Sequence, residues 1–122
     1  MNIHWDIKVN AKSIEEAKVV LNEFSGFLGL IPSDVQINLY PKFDQMFECI
    51  FSTNHQTGLP DAKEMFERIG MPLNVCGGRE NFNGTVAFVY DALIDSRKSP
   101  TPIRNLFWVH IYAIEQAHGV GQ

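Results

Sequence analysis

The residues best suited to covalent chemistry are one cysteine and the histidines. Cys76 precedes a pair of glycines, and a thiol on such a loop becomes a nucleophile where a histidine, such as His55 or His110, meets it in space. No local spacing brings the three residues together, and a free cysteine is more often a small buried apolar residue. We therefore predict no catalytic residue in this chain.

His4 and Asp6 form a second candidate pair, because side chains two apart on a strand point the same way. A base and its orienting carboxylate show this spacing, but so does the solvated face of a strand, which is the interpretation we favour. The histidines lack the spacing of a metal site, and the glycines lack the patterns of a phosphate-binding loop. The sequence predicts neither a metal nor a cofactor.

Hydrophobic periodicity predicts the elements that position these residues. The first 70 residues carry three strand patterns and two helix patterns, in the order strand 3–9, helix 14–28, strand 35–40, strand 46–51 and helix 60–69. Ser13 and Glu16 form a capping box at the start of the first helix, and Pro60 suits the first position of the second. This order is ferredoxin-like and next demands a strand that returns to the sheet, for which residues 73–76 are the candidate.

Two long apolar segments dominate the last third of the chain. Residues 85–94 and 106–114 are predicted as the strands of one hairpin, after a turn-rich loop at 77–84. Residues 85–94 and 103–114 also fit helical spacing, and a threonine before Pro102 would cap a helix there. We favour strands because Phe, Trp, Val, Ile and Tyr in succession suit a pleated surface.

Together these patterns predict one α+β domain over residues 1–122. It has a ferredoxin-like start (strand, helix, strand, strand, helix) extended by a C-terminal long β-hairpin, with a mainly antiparallel sheet and two helices on one face. At 122 residues and 45% hydrophobic composition, the chain buries a core without a disulfide. Both cysteines are expected to be reduced, and no signal peptide or membrane span is recognisable, so we expect a soluble cytoplasmic protein that does not bind membranes.

The charge is unevenly distributed. Residues 13–61 contain seven acidic and two basic side chains, a balance of −5, whereas the loop 97–104 carries three basic side chains and no acidic one. A solvated surface explains both facts, while the sharper hypothesis is an acidic face that complements a basic partner. Nucleic acid is disfavoured as a partner because phosphate neutralisation needs clustered Lys and Arg.

We therefore expect a non-enzymatic protein-binding module. Its most concrete form is a small acidic inhibitor or immunity protein that blocks a basic partner, such as a bacterial nuclease toxin domain. Asp34, Asp44 and Glu48 are the first candidate contacts, because they lie on or beside the predicted hairpin and would project from one edge. Only size and charge are similar to that broad class of proteins.

Aromatic side chains of the last strand are the second set of candidate contacts. Alternation places Phe107, Val109 and Ile111 on one face of the strand and Trp108 and Tyr112 on the other. Trp108 and Tyr112 are therefore candidate aromatic anchors for a partner. Packing of both side chains under a helix is an equally good interpretation.

The alternative function is a small α+β enzyme or ligand-binding protein with a pocket between sheet and helices. Trp5, Phe88, Tyr90 and His110 would line that pocket. Only analogy with other α+β folds supports this hypothesis. A homodimer through sheet edges is compatible with it.

Overall fold

The computed structural model describes residues 2–55, 61–71, 75–82, 85–93 and 103–116. Side chains are described within 2–55, 61–71, 89–92 and 103–113. The chain forms six strands and two helices in these ranges: β1 (Asn2–Asn10), α1 (Ile14–Leu28), β2 (Ser33–Leu39), β3 (Met46–Asn54), α2 (Ala62–Arg68), β4 (Val75–Phe82), β5 (Thr85–Leu93) and β6 (Leu106–Gln116).

All six strands join one sheet, in the order β2-β3-β1-β6-β5-β4, and every neighbouring pair is antiparallel. An antiparallel sheet with two helices confirms the predicted α+β class. The central strand β1 lies between β3 and β6, while β2 and β4 form the two edges. No described helix has both the length and the apolar composition needed to cross a membrane.

Strict alternation in β1 directs one set of side chains into the core. Ile3, Trp5, Ile7 and Val9 are all buried, and the alternating partners on β3 and β6 are buried beside them. Trp5 stacks on Phe51 and meets the ring of Phe24 from α1 edge-on. Because the buried side chains of α1 and α2 belong to this same cluster, both helices cover the same side of the sheet.

Local signals set the helix ends. The Ser13 side chain accepts a hydrogen bond from the Glu16 backbone N–H, as the predicted capping box requires. The helix α1 ends at Leu28, and its C-cap is Gly29, whose φ of 70° lies in the left-handed region that glycine adopts without strain. Asp61 caps α2 and Ala62 is its first residue, so this helix begins later than predicted, and Pro60 lies outside the described residues.

The structure of the last third of the chain corrects two expectations, namely the loop at 77–84 and the identity of the strand beside β1. The segment predicted as a turn-rich loop is largely strand, because β4 covers Val75–Phe82, and β4 pairs with β5 alone at the edge of the sheet. The strand beside β1 is instead β6, whose alternating Val109, Ile111 and Ala113 are buried opposite the apolar face of β1. The helical interpretation of this region was wrong, since β5 and β6 pair as antiparallel strands, with Thr85 opposite Gln116 at one end and Leu93 opposite Trp108 at the other.

Candidate functional site

The side of the sheet that faces away from both helices carries the polar and aromatic residues of the alternating pattern. We call it the distal face. Its central members lie on four adjacent strands and are Asp6 and Lys8 of β1, Glu48 of β3, Asp91 of β5, and Trp108, His110 and Tyr112 of β6. Most of these side chains are half-buried and Lys8 is buried.

Lys8 is the centre of this face. Its Nζ lies 2.7 Å from Asp6 Oδ1 and 2.6 Å from Glu48 Oε2. The same ammonium lies 4.7 Å from the centre of the Tyr40 ring and 4.4 Å from that of Trp108. With 9% of its side chain exposed, Lys8 therefore has two carboxylates and two aromatic faces as partners, which satisfies the requirement that a buried charge be paired.

Strand register produces this cluster. Lys8 stands opposite Glu48 on β3 and opposite Trp108 on β6, so three consecutive strands of the sheet bring the three side chains to one place on the distal face. Asp6 reaches the same ammonium because it lies two residues earlier on β1 and points the same way.

Burial and charge pairing act in opposite directions on the two β1 groups. Burial raises the pKa of Asp6, and the hydrogen bond and charge of Lys8 offset only part of that effect. Burial alone would lower the pKa of Lys8, but its hydrogen bonds to Asp6 and Glu48 outweigh burial and raise that pKa. Lys8 is therefore an ammonium at neutral pH, which is the form that aromatic faces attract.

A histidine–carboxylate contact lies beside Trp108. The Nδ1 atom of His110 contacts Oδ1 of Asp91, its neighbour across the β5–β6 pair. Since a carboxylate only accepts hydrogen bonds, Nδ1 carries the proton in this contact. The imidazole also stacks on the Trp108 ring, with 5.4 Å between centroids. An oriented imidazole of this kind is what general-base chemistry uses, but no hydroxyl or thiol of the described residues is hydrogen-bonded to His110.

A β-bulge reshapes the end of β6 and overturns one predicted face. Lys8 pairs with Trp108, but Val9 pairs with Leu106, so Phe107 is an extra residue in β6. Phe107 was expected to share the face of Val109 and Ile111. Because the bulge breaks the period of two, Phe107 is only half-buried and lines a pocket together with Trp108.

That pocket has a volume of about 300 Å³ and lies where β6 meets the turn between β2 and β3. We call it the turn pocket. Its lining consists of two lysines and four aromatic residues, namely Lys8, Lys42, Tyr40, Phe43, Phe107 and Trp108.

The structure distributes the predicted partner-binding residues over three places. Glu48 and Trp108 meet at Lys8, and Tyr112 lies on the same distal face four residues along β6. Asp34 lies near the start of β2 in a left-handed backbone conformation with φ of 54°, whereas Asp44 lies in the turn at the other end of the strand. At about 3.3 Å per residue these two carboxylates are roughly 20 Å apart, so the acids do not form one patch.

The predicted pocket between sheet and helices does not form from its predicted residues. Trp5 is 1% exposed in the core and pairs with Ile111, whereas His110 lies on the distal face. One step along a strand reverses the side on which a residue lies, so no pocket contains both Trp5 and His110. The Phe88 side chain lies outside the described ones.

Two other sequence candidates have different surroundings from those proposed. His4 Nδ1 lies 3.1 Å from the Ser52 hydroxyl, while Asp6 binds Lys8, so His4 and Asp6 do not act as a pair. The side chain of Cys76 lies outside the described ones. Cys49 is a buried free thiol, and burial raises its pKa to about 12.

Sequence reasoning missed Lys8, Asp91 and the aromatic residues of the β2–β3 turn. A signal for Lys8 was present, because a lysine between Ile7 and Val9 in a strand must face away from the core. Its partners are 40 and 100 residues away in the chain, and only strand register brings them together.

Among the described residues, no group of three His, Cys, Asp or Glu side chains is placed to hold a metal ion. The chain matches no protein-family model, and searches of curated proteins and of solved structures found no similar protein.

Proposed function

We propose that this chain is a non-enzymatic protein-binding module that docks its distal face on a basic partner protein. The most concrete form is a small acidic inhibitor or immunity protein that blocks a bacterial nuclease toxin. The observation that carries the proposal is the composition of the distal face, where half-buried Trp108 and Tyr112 lie among the carboxylates of Asp6, Glu48 and Asp91.

The charges of this face favour a basic partner. Asp6 and Glu48 pair with Lys8, and Asp91 contacts His110, so these groups carry two net negative charges when His110 is neutral. Asp44 adds an exposed carboxylate at the adjacent turn. A face with excess negative charge attracts Lys and Arg side chains and accelerates encounter with a basic surface.

The aromatic residues supply the apolar part of such an interface. Trp and Tyr are the residue types most often found as interface anchors, because a large ring buries much area at little entropic cost. Arg side chains of a partner can stack on these rings while pairing with Asp91 or Asp44. Asp34, at the far end of β2, would contact the partner only at the rim.

We also propose that the fold is a ferredoxin-like start extended by a C-terminal hairpin. The order β1, α1, β2, β3 and α2 is that of a ferredoxin-like start, and we regard β5 and β6 as the hairpin that extends it. In this description β6 takes the place beside β1 that a fourth ferredoxin-like strand would occupy.

Affinity capture from native cell extract at low salt, followed by a salt gradient, tests the proposal. We expect a basic protein that is released as the salt concentration rises. With that protein purified, Asp44→Lys should weaken binding about tenfold. Tyr112→Ala should weaken binding by about thirtyfold.

Glu23→Lys is the matched control, since it makes the same charge change on an exposed residue of α1, on the other side of the sheet. Equal losses for Asp44→Lys and Glu23→Lys would mean that total charge matters and the distal face does not. Recovery of this chain alone would contradict the inhibitor function.

We also propose a homodimer through the edge strand β2. Four of the seven exposed large hydrophobic residues among the described ones lie in or beside β2: Ile31, Val35, Leu39 and Phe43. An exposed edge with apolar side chains is a template for pairing with another strand. An antiparallel pair centred on Ile37 would place Val35 opposite Leu39, so that apolar residues meet and the only β2 charge, Asp34, avoids its own copy.

The Asp91–His110 pair favours a small enzyme as the second candidate function. Its site would lie on the distal face instead of between sheet and helices. His110→Asn would remove a general base while keeping a polar side chain, so loss of an activity in this variant with unchanged partner binding would favour the enzyme.

A further inference from the structure

We propose that the turn pocket binds a small aromatic anion, meaning a flat ring that carries a carboxylate or a phosphate. The proposal concerns a ligand site and does not depend on the existence of a protein partner. It rests on the shape of the pocket, on the aromatic residues in its wall and on the sign of the charges that line it.

The walls favour a flat ring. Tyr40 and Phe43 stack with 6.0 Å between ring centroids, and Phe43 meets Phe107 at 5.7 Å. Trp108 forms the remaining aromatic wall. A volume of about 300 Å³ is at the small end of ligand pockets, which suits a ligand of one or two rings.

The charged groups of the lining favour an anion. Lys8 and Lys42 are the charged side chains that line the pocket, and neither Asp6 nor Glu48 is part of the lining. An ammonium has three N–H donors, and Lys8 uses two of them on Asp6 and Glu48. Lys42 is exposed, and its ammonium lies 6.0 Å from the centroid of the Phe43 ring.

A cationic ligand is disfavoured although aromatic rings attract cations. The ammonium of Lys8 already lies against the rings of Tyr40 and Trp108. A second cation in the same pocket would also be repelled by the ammonium of Lys42, whereas the charge of Lys8 is offset by Asp6 and Glu48. Because Lys8 already occupies the ring faces that would attract a cation, we infer that the pocket takes a ligand of opposite sign.

Three probes with one ring system and different charges test this inference: 2-naphthoate, 2-naphthamide and 2-naphthylmethylammonium. The indole N–H signals in ¹⁵N NMR spectra report where each probe binds, because the chain has two tryptophans. Trp108 lines the pocket, whereas the Trp5 N–H is buried and donates to Thr53. We expect naphthoate to shift the Trp108 signal saturably, to leave that of Trp5 unchanged and to bind more tightly than the amide.

Lys42→Met isolates the charge contribution. It should weaken naphthoate binding about threefold, the size expected for a partly exposed ion pair, and leave naphthamide binding unchanged. Lys63→Met, at an exposed position of α2, is the control and should change neither. The same series with naphthyl phosphate shows which anion is preferred, and saturable binding of either supports the site.

Three results would overturn the inference. The first is binding of the ammonium probe as tight as that of naphthoate. The second is the same effect of Lys42→Met and Lys63→Met on naphthoate. The third is the absence of a saturable shift of the Trp108 signal with both anions, while the spectrum shows that the protein remains folded.

Discussion

Lys8 and Trp108 stand directly opposite each other on β1 and β6, with the ammonium 4.4 Å from the centre of the indole ring. This contact lies between the His110–Asp91 pair and the turn pocket. On one side of Trp108 lie His110 and Asp91, and on the other lies the turn pocket. Changes at Lys8 are therefore expected to affect both regions.

Lys8→Met is predicted to destabilise the protein by about 2–3 kcal/mol, because it leaves the carboxylates of Asp6 and Glu48 half-buried without a cation. Urea denaturation measures the loss. Adding Asp6→Asn and Glu48→Gln to Lys8→Met should restore much of the stability, since neutral groups are less costly to bury. Lys18→Met, which breaks an exposed pair with Glu15, should change stability by less than about 0.5 kcal/mol. Equal effects of Lys8→Met and Lys18→Met would contradict the assigned role of the cluster.

Thr53→Val is predicted to destabilise the protein by about 1–3 kcal/mol. The Trp5 indole N–H donates a hydrogen bond of 2.8 Å to the Thr53 hydroxyl inside the core, and valine has the same shape but no acceptor. Thr53→Ser keeps the hydroxyl and should cost less, mainly the lost methyl group. The same hydroxyl contacts His55 Nε2 at 2.7 Å. Chemical denaturation compares the three proteins, and a valine variant as stable as the wild type would show that the two contacts of this hydroxyl contribute nothing.

The Cys49 thiol is predicted to resist thiol reagents at pH 8 as long as the protein is folded. Cys49 is 0% exposed, and burial raises its pKa from 9.0 to about 12, so the reactive thiolate is scarce. Labelling with a maleimide, followed by mass spectrometry of peptides, identifies the modified cysteine. Modification of Cys49 at the rate of the urea-unfolded chain would contradict this prediction.

The same shift in pKa predicts how stability depends on alkaline pH. The folded state holds the Cys49 proton more tightly than the unfolded state, so this stabilising contribution is complete below pH 9 and is lost as the pH rises towards 12. The wild type should lose up to about 1.4 kcal/mol per pH unit more than Cys49→Ala in this range. Stability curves of equal slope for the two proteins would show that the thiol titrates normally.

The proposed dimer predicts a concentration-dependent mass in sedimentation equilibrium. Leu39→Lys should give a folded monomer, because Leu39 is 63% exposed on the edge strand and a charge there blocks edge pairing. Val19→Lys introduces the same charge at an exposed apolar position of α1 and should leave the dimer intact. A wild-type chain that is monomeric at every concentration would rule out the dimer.

Features that depend on neighbours in the chain could be predicted from the sequence. Alternation from Ile3 to Val9 identified β1, and the spacing of Ser13 and Glu16 identified the start of α1, because side-chain direction and capping are decided within a few residues. The same local argument correctly placed Trp108 and Tyr112 on one strand face. It could not show that this face lies away from the helices.

Contacts between distant strands were decided only by the tertiary structure. The sequence left the pairing order of the last three strands open. The strand after α2 joins the sheet at its edge, β6 lies beside β1, and the bulge at Phe107 removed that ring from the expected face. Pairing depends on which apolar faces match across the whole sheet, and a bulge shifts every residue beyond it by one place. The alternating pattern therefore determined which residues face the core, whereas register alone placed Lys8 between Glu48 and Trp108.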